Sequence, residues 1–242
     1  MFFFLRLLLA HFIGDFPLQF DRVFRLKHKG FLGIIPHATL IIASLAAMAC
    51  PYLNRLDVWA FILFVGVTHL LQDSLKLNFG SRKFTFWTYL LDQLFHIGII
   101  ACVFLTDLQD LQPPQNTSTI VAALYANDKL IVYLIALIVA TYNGFFFIRS
   151  FKATFRGGMG KYTSFEKWYG MLERGLIVSV FVGGCYLYFA IIPIWLARPF
   201  VYRLARTRFK ISKRFVVTDV TLSWIVALVT GIILRIILRR VL

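Results

Sequence analysis

Seven histidine and aspartate side chains within the first hundred residues carry the clearest chemical signal in this sequence. They lie in four apolar stretches and are His11, Asp15, His37, His69, Asp73, Asp92 and His96. Three pairs among them have an i, i+4 spacing: His11 with Asp15, His69 with Asp73, and Asp92 with His96. On a helix this spacing places both side chains of a pair on one face, one turn apart.

Imidazole and carboxylate groups in such numbers are typical of a metal centre. Both groups bind zinc, manganese and iron, and carboxylates can bridge two ions. Seven candidate ligands exceed the four of a closed structural zinc site, so we expect a divalent metal, zinc or else manganese or iron, as one or two ions. A single His–Asp pair more often forms a hydrogen-bonded helix pair, but three pairs together with His37 favour metal binding. A proton or ion relay and a purely structural polar network are the alternatives.

The elements that must position these residues are membrane-spanning helices. The 242 residues are 60% hydrophobic with a mean hydropathy of +0.76, whereas soluble domains are about 45–50% apolar. Long runs with little charge predict an all-α, polytopic helical membrane protein with about seven spans. The predicted spans are 1–20, 31–50, 57–75, 87–106, 129–148, 175–197 and 216–238.

The predicted spans divide into two domains. The first four spans should form a helix bundle around a polar site, in a membrane domain of residues 1–110 that carries the metal. Residues 111–242 should form a C-terminal membrane region with basic cytoplasmic loops, of which 149–174 is the first. The basic segment 198–214 breaks the alternation of loops, so the topology after residue 175 stays open.

The basic residues lie mainly between the apolar spans. There are 26 lysines and arginines against 11 acidic residues, a formal charge of +15. Membrane topology and anionic lipid headgroups explain this charge more simply than a nucleic-acid partner, which we do not expect. Basic and non-basic loops alternate in the first half, which places the N-terminus outside and the first and third loops in the cytoplasm. The cysteines Cys50, Cys102 and Cys185 are far apart, which argues against disulfides and a thiolate metal site.

The depth of the seven residues in their spans predicts that they meet. Asp15 lies near the end of the first span and His37 near the start of the second, on either side of the first basic loop. The other two pairs flank the third loop in the same way. Four antiparallel spans would therefore bring all seven groups to one level, about a third of the way in from the cytoplasmic face. Gln19 and Gln93 could support the ligands, and Gly14 could allow two helices to approach closely.

Four motifs in a fixed order also point to a family. They are H-x-x-x-D-F-x-x-Q starting at His11, a single His37, H-x-x-x-D-x-x-K starting at His69, and D-Q-x-x-H starting at Asp92. Over roughly residues 5–105 they resemble a bacterial family of integral membrane proteins of unknown function. More distantly, they are similar to predicted membrane-bound metal-dependent hydrolases, which implies hydrolysis. A bacterial inner (cytoplasmic) membrane is the location that this resemblance implies.

The favoured hypothesis is a metal-dependent hydrolase whose partners are membrane lipids. A metal-activated water would attack an anionic lipid or a lipid-linked phosphoester, with Asp73 or Asp92 as the general base. Basic residues around the mouth of the site would bind the anionic headgroup: Lys27, Lys29, Lys76, Arg82 and Lys83. Ordinary positive-inside charge explains the same residues equally well.

Two other functions remain open on the sequence alone. Intramembrane carboxylates and histidines also form the ion pathways of transporters and proton-coupled carriers. The stretches LIIASLAAMA and IGIIACVFL are almost wholly apolar, which favours a pocket open on one side over a pathway through the membrane. A membrane scaffold stabilised by a structural metal is the third hypothesis.

Overall fold

The computed structural model describes residues 1–27, 30–79, 85–114, 119–155, 164–183, 190–194, 197 and 213–240. The α-helices that lie wholly within these ranges include α1 Phe2–Asp15, α2 Asp21–Lys27, α3 Phe31–Met48, α4 Leu56–Phe79, α5 Phe86–Ala101, α6 Ile120–Ala126, α7 Asp128–Ile138, α8 Gly144–Phe155, α9 Ser164–Val182 and α10 Lys213–Arg240. Short 3-10 turns follow α3 and α5, and a π-helical segment, Val139–Asn143, lies between α7 and α8. The described residues contain no strand, so the expected all-α class is confirmed.

Five helical segments in the described ranges are long and apolar enough to cross a membrane. They are Phe31–Met48, Leu56–Leu77, Phe86–Leu105, Asp128–Phe155 and Val217–Arg240. The prediction of a membrane protein is supported, but two of the seven predicted spans are not among these segments. The first corresponds to α1, whose 14 residues extend only about 21 Å against a hydrocarbon thickness of about 30 Å. The sixth overlaps α9, which carries four charged residues, and continues into residues outside the described ranges.

The chain folds as two compact units, Met1–Ile135 and Ala136–Leu242. The predicted division after residue 110 falls within the first unit, which contains all seven candidate ligands.

In the first unit, α1 is almost completely buried and contacts both α3 and α5. Helix α4 in turn contacts α3 and α5. Gly14 lets α1 and α3 approach closely, because a Cβ atom there would lie 2.8 Å from Ile41 Cδ1 and 3.2 Å from Ile41 Cα. The close approach places Asp15, the next residue, against α3.

An apolar core fills one end of these four helices. It consists of residues that precede His11 in α1, follow His37 in α3, precede His69 in α4 and follow His96 in α5 and its 3-10 extension. Because the helices alternate in direction, all of these segments meet at the same end. The members of this core include Phe3, Leu7, Ile41, Leu45, Ile62, Val65, Ile100 and Val103. The seven polar residues are therefore confined to the other end.

A buried arginine, Arg6, forms hydrogen bonds and an ion pair at the apolar end of the four helices. Arg6 is fully buried and donates to the backbone carbonyl of Phe2 at 3.0 Å and, through Nε, to that of Tyr125 at 3.2 Å. Its guanidinium also forms an ion pair with Asp128. The hydroxyl of Tyr125 donates to the carbonyl of Met48 at 2.8 Å. These bonds tie the α6–α7 junction to α1 and to the end of α3.

The second unit has a buried polar network of its own. Arg174 on α9 donates to the carbonyls of Ala140 at 2.6 Å and Thr141 at 2.9 Å, both in the π-helical segment. A π-helix disrupts the regular backbone pairing, and Arg174 supplies donors to its carbonyls. Lys152 on α8 and Asp219 on α10 form a second buried contact, an ion pair.

Candidate metal centre

The structure brings all seven predicted residues together in the first unit. Helix α1 supplies His11 and Asp15 at its C-terminal end, α3 supplies His37, α4 supplies His69 and Asp73, and α5 supplies Asp92 and His96. Three overlapping groups have ligand atoms within 4.8 Å of one another: His11, His69 and His96; Asp15, His37 and His69; and Asp73, Asp92 and His96. Six of the seven residues are buried, and Asp92 is half-buried. Their role as metal ligands stays a prediction.

The cluster converges on the Nε2 atom of His37. This nitrogen lies 3.1 Å from Nε2 of His69 and 3.2 Å from Oδ1 of Asp15. Nε2 of Gln19 is 3.4 Å away, and Oδ2 of Asp73 is 3.7 Å away. An imidazole nitrogen has either one N–H or one lone pair, so it cannot hydrogen-bond all four groups at once. Hydrogen bonding alone therefore does not account for this convergence.

The second part of the cluster is a group of closely packed imidazole rings. His69 and His96 are stacked with ring centroids 4.4 Å apart and an angle of 23° between the planes. The ring of His11 lies 5.2 Å from that of His69 and 5.1 Å from that of His96. His69 thus belongs to two of the three groups and connects them, and His96 links the first of these to the third.

Two lysines lie directly on the carboxylates. Lys27 Nζ is 2.6 Å from Asp73 Oδ2, and Lys76 Nζ is 2.7 Å from Asp92 Oδ2. With neutral imidazoles, the three carboxylates and two ammonium groups leave one negative charge in excess. A divalent cation would reverse the sign of this charge, so the lysines are part of any account of metal binding.

Two of the five basic residues predicted at the mouth of the site lie in the described part of the structure, as do both predicted supporting glutamines. Lys27 and Lys76 were expected to line the mouth, and the structure places both within ion-pair distance of the cluster. Lys29, Arg82 and Lys83 lie outside the described residues. The predicted supporting residues are close: Gln19 reaches His37, and Gln93 Nε2 is 3.5 Å from Asp92 Oδ2.

Two buried polar groups that the sequence motifs do not include lie on the helices of the cluster, at Gln72 and Tyr89. Gln72 precedes Asp73, and its Oε1 is buried without a hydrogen-bond partner among the described residues. Tyr89 is buried on α5, three residues before Asp92 and seven before His96. The i, i+3, i+7 spacing of Tyr89 with these two residues was a signal that it shares their face.

The spacing of the ligand atoms suits a tetrahedral ion. Zinc ligands at about 2.0–2.2 Å lie roughly 3.3–3.5 Å from one another. The separations of His37 from His69 and Asp15 are 3.1 and 3.2 Å, and His69 Nε2 is 3.4 Å from Asp73 Oδ2. Two imidazoles and a carboxylate are also the donor set of several catalytic zinc sites.

Buried polar atoms around the cluster have capacity for further bonds. The Nδ1 atoms of His11, His37 and His69 and the Oδ1 atom of Asp73 have no hydrogen-bond partner among the described residues. Metal-bound histidines ordinarily donate their second ring N–H to a protein acceptor. A metal at Nε2 therefore explains the convergence at His37 but leaves the three Nδ1 atoms without an assigned partner.

Comparison with known proteins places the chain in a family. A family model described as "Protein of unknown function (DUF3307)" matches residues 3–125. The chain belongs to this family. The expected membership of a family of unknown function is thereby confirmed, and the DUF3307 match includes all seven residues of the cluster. No curated protein matches the chain, and no solved structure matches it. The more distant resemblance to metal-dependent hydrolases stays a prediction.

Proposed function

We propose that this DUF3307 protein is a membrane-embedded metal-dependent hydrolase that cleaves a phosphoester of an anionic lipid or lipid-linked molecule. The observation that carries the proposal is the convergence of four polar groups on His37 Nε2, at separations of 3.1 to 3.7 Å. A divalent ion, zinc in the first place, can satisfy two imidazoles and two carboxylates together.

The chemistry divides between the ion and the protein. A bound divalent ion supplies an activated water and a positive charge that stabilises negative charge developing on the phosphate. Asp15, His37, His69 and the Oδ2 atom of Asp73 would hold the ion. The other oxygen of Asp73, Oδ1, would act as the general base, because it has no hydrogen-bond partner among the described residues and can accept a proton.

The second half of the cluster allows for a second ion. His11, His96 and Asp92 belong to the two other candidate groups. Carboxylates bridge the two ions of many phosphoesterases, and Asp73 belongs to the group that contains Asp92 and His96. Metal analysis of the purified protein would decide between one bound ion and two.

The surroundings of the cluster support hydrolysis at one face over transport across the membrane. The apolar core occupies the other end of the same four helices, and its residues Leu7, Ile41, Ile62 and Ile100 are at most 1% exposed. A carrier needs a polar path to both sides, and this core interrupts it. A lipid substrate needs access from only one leaflet, with its headgroup next to Lys76.

The test is metal analysis followed by an activity assay in a defined membrane. We expect the purified protein to contain one or two equivalents of a divalent ion and to release phosphate or a phosphorylated headgroup in phosphatidylglycerol nanodiscs. His37→Ala should abolish metal content and activity, because it removes the atom on which the cluster converges.

Thr39→Ala is the matched control on the same helix. Thr39 is exposed, and its hydroxyl donates only to the carbonyl of Ile35 at 3.0 Å. This variant should keep the metal and the activity of the natural protein. A purified, folded protein that takes up no stoichiometric divalent ion would overturn the proposal and favour the purely structural polar network.

A further inference from the structure

The Lys27 ammonium group contacts a candidate metal ligand, Asp73, and its positive charge would repel a metal ion bound there. This group lies 2.6 Å from Asp73 Oδ2, and only 12% of the Lys27 side chain is exposed. The same oxygen faces two imidazoles, because it is 3.4 Å from His69 Nε2 and 3.7 Å from His37 Nε2. Lys27 is therefore the cation that neutralises this oxygen in the structure.

The packing of α2 against α3 determines the position of the Lys27 backbone. Helix α2 ends at Lys27, and α3 begins directly after Gly30, whose φ of +108° suits glycine. Gly33 on α3 lies so close to α2 that a Cβ atom there would be 1.9 Å from the carbonyl oxygen of Leu26. With its neighbour held against α3, Lys27 can leave Asp73 by rotation of its own side chain.

A metal ion and the Lys27 ammonium group cannot share Asp73 Oδ2 at low energy. An ion bound to that oxygen at about 2.2 Å would lie at most about 4.8 Å from Nζ, since Nζ is itself 2.6 Å from the oxygen. Like charges at this distance repel strongly in a poorly solvated site. One of the two cations must therefore move away.

Lys76 does not meet the same conflict. Its ammonium group contacts Asp92 Oδ2 at 2.7 Å, whereas the other oxygen, Oδ1, faces His96 Nε2 at 3.6 Å. An ion between Asp92 and His96 would use Oδ1 and leave the contact with Lys76 in place. The two lysines therefore have different relations to a bound ion.

We infer that Lys27 is an exchangeable internal cation: it neutralises Asp73 in the metal-free protein, and metal binding expels its ammonium group from the cluster. This inference rests on the proposed metal site and adds its regulation. The exchange weakens metal binding by the work of displacing Lys27, and it keeps Asp73 neutralised whenever the ion is absent. The expelled lysine side chain becomes accessible to solvent and to amine-directed acylating reagents.

Amine labelling of the natural protein tests the exchange directly. The purified protein in detergent is treated with an acylating reagent with and without Zn²⁺, and labelling is quantified for each lysine by mass spectrometry. Labelling of Lys27 should rise several-fold with Zn²⁺, while Lys76 stays unchanged. Lys129, an exposed lysine on α7, is the control and should react equally in both conditions.

Zn²⁺ titration of variants gives a second, independent readout. Lys27→Met should bind Zn²⁺ at least about tenfold more tightly than the natural protein, because the competing charge is gone. Lys76→Met and Lys129→Met should not gain affinity. The labelling measurement needs no variant, so it decides the matter if Lys27→Met does not fold.

The outcomes separate this inference from the proposed function. If the natural protein binds no Zn²⁺, the proposed metal site is wrong and the exchange falls with it. If Zn²⁺ binds but neither the labelling of Lys27 nor the affinity of Lys27→Met changes, the metal site stands and the exchange is overturned.

Discussion

At the scale of single residues, His69 connects the parts of the cluster. It contributes to the group with Asp15 and His37 and to the group with His11 and His96. Its Nε2 lies 3.1 Å from that of His37, and its ring stacks on His96. The His69 ring contacts those of His11, His37 and His96, so a single substitution at this position should affect the whole site.

Replacement of His69 should therefore cost more metal affinity than replacement of His11. We expect His69→Ala to lower Zn²⁺ affinity by more than the roughly 10–100-fold that loss of a supporting residue costs, and His11→Ala to have a smaller effect. Isothermal titration with Zn²⁺ measures both. Thr68→Ala, which alters a hydroxyl bonded to the carbonyl of Phe64 at 2.7 Å, should change nothing, and an equal loss in both histidine variants would contradict the connecting role.

Sequence reasoning reached these residues because their chemistry is local and costly. An i, i+4 pair is visible in the sequence, and a charged group in an apolar helix requires a partner. The contacts of Lys27 with Asp73 and of Arg6 with Asp128 were not predicted. They join residues 46 and 122 positions apart, and only the packing of α2 against α3 and of the α6–α7 junction brings them together.

At the scale of helices, the α1–α3 contact determines whether the site forms. Gly14 is the point of closest approach, and Asp15 and His37 face each other beside it. The 3.2 Å contact between these two side chains depends on the spacing of the helix axes, and any side chain at position 14 would increase that spacing.

Gly14→Ala should destabilise the protein by about 1–3 kcal/mol, the usual cost of overpacking, and should reduce Zn²⁺ affinity. The added methyl group would meet the backbone of α3 at Ile41, at 3.2 Å. Denaturant unfolding in detergent and Zn²⁺ titration measure the two effects. Gly98→Ala is the matched control, because a Cβ atom at Gly98 has no atom within 4 Å; an equal response of both variants would rule out the close approach as the cause.

Hydropathy alone does not establish the number of spans, and seven spans stay a prediction beyond the five described segments that are long and apolar enough to cross. Helix α1 is apolar enough to resemble a span, but it is apolar because other helices surround it. A helix buried in protein and a helix in contact with lipid have the same composition, and only length separates them. The hydropathy pattern does not mark the end of α1 at Asp15, which limits this helix to 14 residues.

At the scale of the whole molecule, the second unit contains charged groups that the candidate site does not use. Lys152 and Asp219 are buried as an ion pair, and Arg174 and Glu173 both bond to Ser223, at 3.0 and 3.3 Å. Groups of opposite charge are matched here, in contrast to the excess of carboxylates in the first unit. We therefore interpret this network as structural.

Removal of one member of the Lys152–Asp219 ion pair should destabilise the protein more than replacement of both members by apolar residues. Asp219→Ala should destabilise the protein by about 3–5 kcal/mol, because Lys152 loses the carboxylate that it contacts, whereas Lys152→Met with Asp219→Leu should recover most of the loss. Thermal unfolding in detergent compares the variants. Zn²⁺ content should be the same in all of them, and a loss of the metal in Asp219→Ala would contradict a purely structural role.

The apolar core that fills one end of the first four helices has an energetic consequence. A proton gradient or a membrane voltage performs work only on charges that pass between the two aqueous compartments. The tightly packed core that contains Leu7, Ile41, Ile62 and Ile100 leaves no polar path at that end of the four helices among the described residues. The hydrolysis that we propose at this centre would then be driven by the bond it breaks, independently of whether the membrane is energised.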